Sequence, residues 1–317
     1  MPLFENSSAR KQLLILLVLL FGSSLIFTPF GILTAIPFVD GNIFDAFERM
    51  NLGETSQDIA LMKYFQMISQ IGLFIIPSFF FAYLVSPKMF SFLGIEKRPS
   101  LNLIFLAILI GLVSAPFINW VLQMNSEIHL PAGLQKAELW MRQLEEEALR
   151  LTELFLSDNR FSGLIVNLLI MALIAGFGEE LLLRGVLQPL LIRWTKKPHL
   201  AIWLAAATFS FLHFQFFGFV PRLLLGALFG YYFYWTKNLW IPIVAHIINN
   251  ALIVSITFAS NRESIESNYL EKTLNQTPSS ITLLLSLVLT LGGLLLFYAE
   301  TRRKKNSQTN PDLPTYL

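Results

Sequence analysis

The chain has 317 residues, of which 54% are hydrophobic and 14% are charged, and its mean hydropathy is +0.59. Soluble globular domains carry about 25% charged residues, so this composition excludes a soluble protein and predicts an all-α, polytopic membrane helical bundle. The net charge of +2 is small and the basic residues cluster beside apolar runs, so no nucleic-acid partner is expected. The chain has no cysteine, which excludes disulfides, thiolate nucleophiles and cysteine-ligated zinc.

Eight apolar segments are long enough to cross a hydrocarbon core, which requires roughly 20 helical residues. In chain order they are residues 12–37, 59–85, 101–124, 161–194, 199–217, 220–235, 239–258 and 281–298. The first is too long for the apolar part of a signal peptide, so we interpret it as a retained span. The fourth is longer than one crossing needs, and we expect it to tilt or to break near Gly176 and Gly178.

Basic residues gather in alternate connections between these segments. They occupy residues 10–11, 88–98, 193–197, 237 and 302–305, whereas residues 40–58, 127–158 and 262–272 are acidic on balance or poor in basic residues. Because basic connections stay in the cytoplasm, the pattern predicts eight spans in the cell membrane with both termini cytoplasmic. The lipid bilayer is the expected surrounding of the bundle.

Residues 127–160 are polar but keep a helical rhythm, which predicts an amphipathic helix at the outer surface or over the bundle. We interpret it as a solvated helix, with a lid that gates substrate as the alternative. The chain then divides into 1–160 with three spans and this helix, 161–260 with the core helices, and 261–317 with the last span and a basic tail that is disordered from residue 306. The apolar positions of the amphipathic helix are Leu134, Ala137, Met141, Leu144, Ala148, Leu151 and Phe155.

Residues 175–184 place Glu179, Glu180 and Arg184 inside an apolar span. An unpaired charge at membrane depth costs at least ~2.5 to 3.5 kcal/mol, so these residues indicate a functional site. Glu180 and Arg184 are four residues apart with the acid first, which favours an ion pair with a structural role. Glu179 is then the reactive acid. A carboxylate in a low-dielectric site suits a general base that takes a proton from water and returns it to a leaving amine.

Two of the four histidines also lie within apolar segments. Helical spacing puts Phe209 on the face of His213 and Asn250 on the face of His246. Counting 1.5 Å per residue from the basic ends places Glu179 and His213 at ~21 Å and His246 at ~12 Å, so three spans could meet at one polar site. His213 could orient water or share the proton, while His246 and Asn250 supply donors for an oxyanion.

Glu179, His213 and His246 also match the ligands of a hydrolytic zinc ion with water in the fourth position. The helical His-Glu-x-x-His arrangement of many zinc proteases is absent, so zinc-dependent and metal-free activation of water are both open. Each histidine could instead be an ordinary interhelical hydrogen bonder, and Asn249 could take the place of Asn250.

The ordered set Glu179-Glu180-x-x-x-Arg184, Phe209-x-x-x-His213 and His246-x-x-x-Asn250 resembles the motifs of the CPBP intramembrane proteases. This group comprises type II CAAX prenyl endopeptidases and bacteriocin-processing or self-immunity proteins, and is also called the Abi family. The resemblance covers about residues 161–258. It implies that Glu179 and His213 activate water and that His246 and Asn250 stabilise the oxyanion, by a zinc or a metal-independent glutamate mechanism. The prenylated CAAX substrate is not carried over, because only the catalytic core matches.

We therefore predict an endopeptidase that hydrolyses a peptide or protein substrate within or beside the bilayer. One alternative is a non-catalytic immunity or scaffold protein that binds a partner through the same cavity. Another is a transporter, in which intramembrane Glu, Arg and His are also usual. Transporters often show repeat symmetry, which is not visible here, so this alternative ranks last.

Overall fold

The computed structural model describes residues 2–39, 41–53, 55–262 and 277–309, and within these ranges the chain forms helices and no strand. Seven of the helices are long and apolar enough to cross a membrane, namely α1, α3, α5, α7, α9, α10 and α11. The predicted all-α, multi-pass membrane bundle is therefore confirmed. The helices are α1 (Ala9–Ala35), α2 (Ile43–Leu52), α3 (Ser56–Val85), α4 (Met89–Leu93), α5 (Leu101–Ser126), α6 (Gln135–Leu156), α7 (Phe161–Thr195), α8 (Pro198–Phe211), α9 (Phe219–Thr236), α10 (Trp240–Arg262) and α11 (Ser280–Thr309).

The fifth predicted span is shorter than the sequence indicated. Helix α8 has 14 residues, or ~21 Å of helix, against a hydrocarbon core ~30 Å thick. The helix ends because Phe214 adopts a left-handed φ of 52°, while the amides of His213 and Phe214 close tight turns onto the carbonyls three residues earlier. Residues 199–217 therefore form a short helix and a turn, and the count of eight full-length spans is too high by one.

The basic connections meet at one face of the bundle. Arg193 Nη1 donates to Gln12 Oε1 at 2.7 Å, and Asn238 Nδ2 donates to the Lys97 carbonyl at 2.8 Å. The start of the chain bonds to the end of α3 at this face, and Lys304 packs against the start of α5. The alternation in the sequence thus corresponds to a real face of the molecule, and its cytoplasmic orientation stays a prediction.

Helix α6 forms within residues 127–160, where an amphipathic helix was expected, and it follows the end of α5 that lies opposite the basic face. It packs on the turn that follows α8: Glu145 Oε2 accepts from the Phe217 amide at 3.0 Å, and the Arg142 guanidinium lies 4.3 Å from the Phe217 ring centroid. Of its predicted apolar positions, Leu134 and Ala137 are exposed and the others are half-buried. Helix α6 therefore touches the connection that carries His213.

The last helix extends further than the sequence indicated. Helix α11 continues to Thr309, so the disorder predicted from residue 306 is wrong for residues 306–309. Arginine, lysine and glutamine favour helix, which explains why the helix continues past its apolar part. Residues 310–317 and 263–276, which include the rest of the tail and nearly all of the predicted acidic connection 262–272, lie outside the described residues.

Two of the spanning helices contain wide π-helical turns. They occur at Ile71–Ile75 in α3, and at Leu168–Ile174 and Leu181–Leu187 in α7. The two π turns of α7 flank an α-helical segment, Ala175–Glu180, that carries both acids. Because π turns are frequent at functional sites, their positions indicate that this part of α7 is a candidate functional site.

Helix α7 runs without a break through Gly176 and Gly178, so of the two alternatives, a tilt or a break, the break does not occur. The glycines serve close packing instead. A Cβ at Gly176 would lie 3.2 Å from the backbone nitrogen of Ile247 in α10, and a Cβ at Gly178 would lie 3.1 Å from the Cβ of Phe74 in α3. The two glycines let α3 and α10 approach α7 on either side of the acids.

Candidate active site

The acids of α7 are removed from solvent. Glu179 is 7% exposed, Glu180 is 0% exposed and Arg184 is 1% exposed. The expected ion pair between Glu180 and Arg184 is formed, with Arg184 Nη1 donating to Glu180 Oε1 at 2.7 Å. Arg184 Nη2 also donates to the Gly226 carbonyl of α9 at 2.8 Å. The guanidinium is thus held by a carboxylate and a carbonyl, as a buried cation requires.

His246 of α10 lies against both carboxylates. Its Nδ1 is 2.9 Å from Glu180 Oε1, and its Nε2 is 3.8 Å from Glu179 Oε2. An ionised carboxylate only accepts hydrogen bonds, so Nδ1 carries a proton towards Glu180. The Phe229 ring stacks on the imidazole at 5.1 Å, and the Phe209 ring meets it edge-on at 5.8 Å. Glu180 therefore fixes the orientation of the ring, and Nε2 faces Glu179.

The spacing between Phe209 and His213 predicted that both lie on one helix, but His213 lies outside the helix. It sits in the turn beyond α8, where its Nδ1 donates to the Phe209 carbonyl at 2.8 Å. The Phe209 ring contacts both histidines, at 4.9 Å from His213 and 5.8 Å from His246. No hydrogen bond or ion pair joins His213 to Glu179 in the described part of the chain, although the carboxylate acts on the imidazole electrostatically.

Asn250 links α10 to α7. Its Nδ2 donates to the Met171 carbonyl at 3.0 Å, and its Oδ1 accepts from Asn249 at 3.4 Å. Met171 lies in the first π turn of α7. Asn250 thus links α10, which carries His246, to α7, which carries the two acids.

The three side chains expected to bind zinc are not assembled as a metal site. Within the described ranges, no group of three or more His, Asp or Glu side chains is arranged to hold a metal ion. His246 and Glu179 approach each other, but His213 uses Nδ1 for a backbone carbonyl, and the Phe209 ring contacts both histidines. The donor set therefore does not fit a three-ligand zinc ion in this arrangement.

A residue that sequence reasoning did not single out also reaches the site. Gln70 of α3 is 6% exposed, and its Nε2 donates to Glu179 Oε1 at 3.3 Å. It lies seven residues after Lys63, which is also buried, so both face one side of the helix. That shared polar face was the signal that could have identified Gln70.

An apolar cavity of about 330 Å³ lies beside the site, between α5, α9 and α10. Phe229 and Ala245 line it next to His246, and Asn249 and Thr257 contribute polar groups further along α10. Since the Phe229 ring stacks on His246, one side chain forms a wall of both the cavity and the site. The cavity is suited to an apolar group that extends from a molecule bound at the carboxylates.

Comparisons with known proteins point to one family. Residues 161–252 match the family described as type II CAAX prenyl endopeptidase Rce1-like. The chain is also similar to the uncharacterized protein YpbD of Bacillus subtilis (strain 168), with 30% identity over 122 residues that cover 37% of this chain and 60% of that protein, which is less than two thirds of its length. No solved structure matches significantly. The predicted resemblance is thus confirmed for residues 161–252, a segment that contains all seven motif residues.

Proposed function

We propose that this protein is an intramembrane endopeptidase that hydrolyses a peptide bond of a peptide or protein substrate in or beside the bilayer. The observation that carries the proposal is the buried contact between two adjacent carboxylates and His246, held by Arg184. The match of residues 161–252 to an endopeptidase family supports the reaction class. The plasma membrane location and cytoplasmic termini belong to the same proposal, supported by the gathering of basic residues at one face.

Glu179 acts as the general base. It takes a proton from water, the resulting hydroxide attacks the substrate carbonyl carbon, and the protonated carboxyl then returns the proton to the leaving amine as the carbon–nitrogen bond breaks. Its Oε1 is occupied by Gln70, and its Oε2 faces His246. Proton transfer is therefore assigned to Oε2.

His246 stabilises the oxyanion. In its doubly protonated form it donates from Nδ1 to Glu180 and from Nε2 to the developing oxyanion, and Glu180 orients it as a carboxylate orients the histidine of a catalytic triad. The charges then balance, because two carboxylates face one guanidinium and one imidazolium. Glu180 therefore has a role beyond the ion pair expected from its spacing to Arg184.

His213 and Asn250 have supporting roles in this mechanism. Because Nδ1 of His213 donates to a carbonyl, its Nε2 is an acceptor that can bind a substrate N–H or share the proton of Glu179. Asn250 holds α10 to α7, and its second amide hydrogen can reinforce the oxyanion site. No step of this mechanism passes through a metal ion.

The test compares membrane peptides and processed proteins between a wild-type strain and a Glu179→Gln strain. We expect specific proteins to remain uncleaved in the Glu179→Gln strain. Glu146→Gln, which changes an exposed carboxylate of α6, is the matched control and should process substrates as the wild type does. Identical processing in all three strains would contradict the proposal and favour a non-catalytic protein that binds through the same cavity.

A further inference from the structure

A buried glutamine outside the matched segment touches the proposed general base. Gln70 belongs to α3, and residues 161–252 begin 91 positions later in the chain. Its Nε2 is 3.3 Å from Glu179 Oε1, and the side chain is almost fully buried. The contact depends on the close packing of the two helices, since a Cβ at Gly178 would lie 3.6 Å from the Gln70 carbonyl oxygen.

The orientation of the Gln70 amide follows from its partner. An ionised carboxylate accepts and cannot donate, so the NH₂ group faces Glu179 and Oε1 is the remaining polar atom of the amide. Oε1 is buried and has no hydrogen-bond partner among the residues that the structure describes. Buried acceptors are nearly always satisfied, so this oxygen requires a donor that binds at the site.

We propose that Gln70 is a positioning residue for the water that Glu179 deprotonates. The inference rests on the proposed function. The NH₂ group holds Glu179 Oε1, which leaves Oε2 for the proton that is transferred, while Gln70 Oε1 accepts the second hydrogen of the same water. Both hydrogens of the water then point to acceptors and its lone pair points to the substrate carbonyl. Alignment of this kind lowers the entropic part of the barrier.

This role also gives the first two spans, α1 and α3, a part in the reaction. The π turn at Ile71–Ile75 begins directly after Gln70, and Gly72 lies in contact range of Phe27 in α1. Helices α1, α3 and α7 therefore hold the Gln70 amide against Glu179. The segment 1–160 contributes to the site through this amide and is more than a scaffold for residues 161–252.

The experiment measures kcat and KM of the purified protein in lipid nanodiscs for four variants. The probe is a quenched-fluorescent peptide copied from the first cleavage site that the Glu179→Gln strain leaves uncut. Gln70→Leu removes both polar groups, and Gln70→Glu keeps the shape but places a second acceptor against Glu179. Gln66→Leu makes the same apolar change at an exposed position one turn earlier and is the control. Glu179→Gln reports on the proposed function itself.

We expect kcat to fall about 10- to 100-fold in Gln70→Leu and Gln70→Glu, with KM within about twofold of wild type, because misplacement of a reacting group by about 1 Å can cost 10²-fold. Gln66→Leu should match the wild type. Wild-type kcat in either Gln70 variant overturns the inference. A lower melting temperature with an unchanged kcat per folded molecule also overturns the inference, because that is the result expected of a purely structural role.

Two outcomes separate this inference from the proposed function. If Glu179→Gln is inactive but Gln70→Glu has wild-type kcat, only the role of Gln70 is wrong. If Glu179→Gln keeps wild-type kcat, Glu179 is not the general base, and the proposed role of Gln70 is then wrong as well. Should Gln70→Leu fail to fold, Gln70→Glu decides, since it differs from glutamine by one group of the same shape.

Discussion

At the scale of single residues, Glu180 is the centre of the polar cluster. One of its oxygens, Oε1, bonds both to the Arg184 guanidinium at 2.7 Å and to His246 Nδ1 at 2.9 Å. The spacing of four residues along the chain was enough to predict the first bond. The second joins residues 66 positions apart, so no local pattern could reveal it.

Replacement of Arg184 by leucine should destabilise the protein strongly. The change leaves Glu180 buried without its cation, and loss of one partner of a buried pair costs about 3–5 kcal/mol. The measurement is the free energy of unfolding in detergent. Arg150→Leu is the control, since it removes an ion pair with Glu147 in which both side chains are exposed, and such pairs contribute little. Equal stability of the two variants would show that the Glu180–Arg184 pair is not buried as described.

At the scale of helices, two of the depths counted from the sequence assumed the wrong helix geometry. The sequence placed Glu179 and His213 at one height and His246 lower, whereas the structure brings the acids to His246. The count from Arg193 to Glu179 crosses the π turn Leu181–Leu187, and a wider turn advances less along the axis than an α-turn. The count to His213 assumed a helix that ends at Phe211.

Replacement of Gly176 by valine should lower activity more than stability. The new side chain would meet the backbone of Ile247 and push α10, with His246, away from α7. Overpacking costs about 1–3 kcal/mol, while a displacement of about 1 Å at reacting groups can cost 10²-fold in rate. Proteolytic rate and melting temperature are measured together. Gly22→Val, at a glycine of α1 whose Cβ would meet nothing within 4 Å, should change neither; a wild-type rate in Gly176→Val would argue against this helix contact being required.

The hydrogen bond between the Leu130 amide, which precedes α6, and Glu138 in the first turn of α6 should persist well into acid. Hydrogen bonds from the Leu130 amide and from Arg142 lower the pKa of Glu138 from 4.5 to about 2. Because the folded pKa is the lower one, this stabilisation is complete above about pH 4.5 and is lost as pH falls through about 2. Hydrogen exchange at the Leu130 amide should show protection at pH 4 that disappears near pH 2. Glu138→Gln should lack this transition, and loss of protection in the wild type already at pH 4.5 would contradict the assignment.

At the scale of the whole molecule, composition and the length of the apolar runs were enough to predict a helical membrane bundle, because the charged fraction is far below that of a typical soluble domain and each run can span a bilayer. The motif residues of α7 and α10 were identified from helical spacing, whereas His213 lies in the turn beyond α8, where that spacing does not apply. The roles of Gln70 and of the Phe229 ring were not, because they depend on packing between helices distant in sequence. The short α8 was missed because apolarity continues through the turn that ends it.

The orientation of the bundle can be tested directly, because the chain has no cysteine. Single cysteines at Lys197, on the basic face, and at Gln143, on exposed α6, should react from opposite sides of the membrane. A membrane-impermeant maleimide applied to intact cells should label Gln143→Cys and should label Lys197→Cys only after the cells are opened. The reverse pattern would invert the proposed topology, and labelling of both in intact cells would contradict a spanning bundle.

We propose that Glu179 activates water to cleave a peptide bond. The most direct measurement is cleavage of the probe peptide by purified wild-type, Glu179→Gln and Glu146→Gln proteins in nanodiscs, with and without a metal chelator. We expect cleavage by the wild type and by Glu146→Gln, with and without chelator, and no cleavage by Glu179→Gln, although all three proteins fold. Cleavage by Glu179→Gln at the wild-type rate would contradict this proposal.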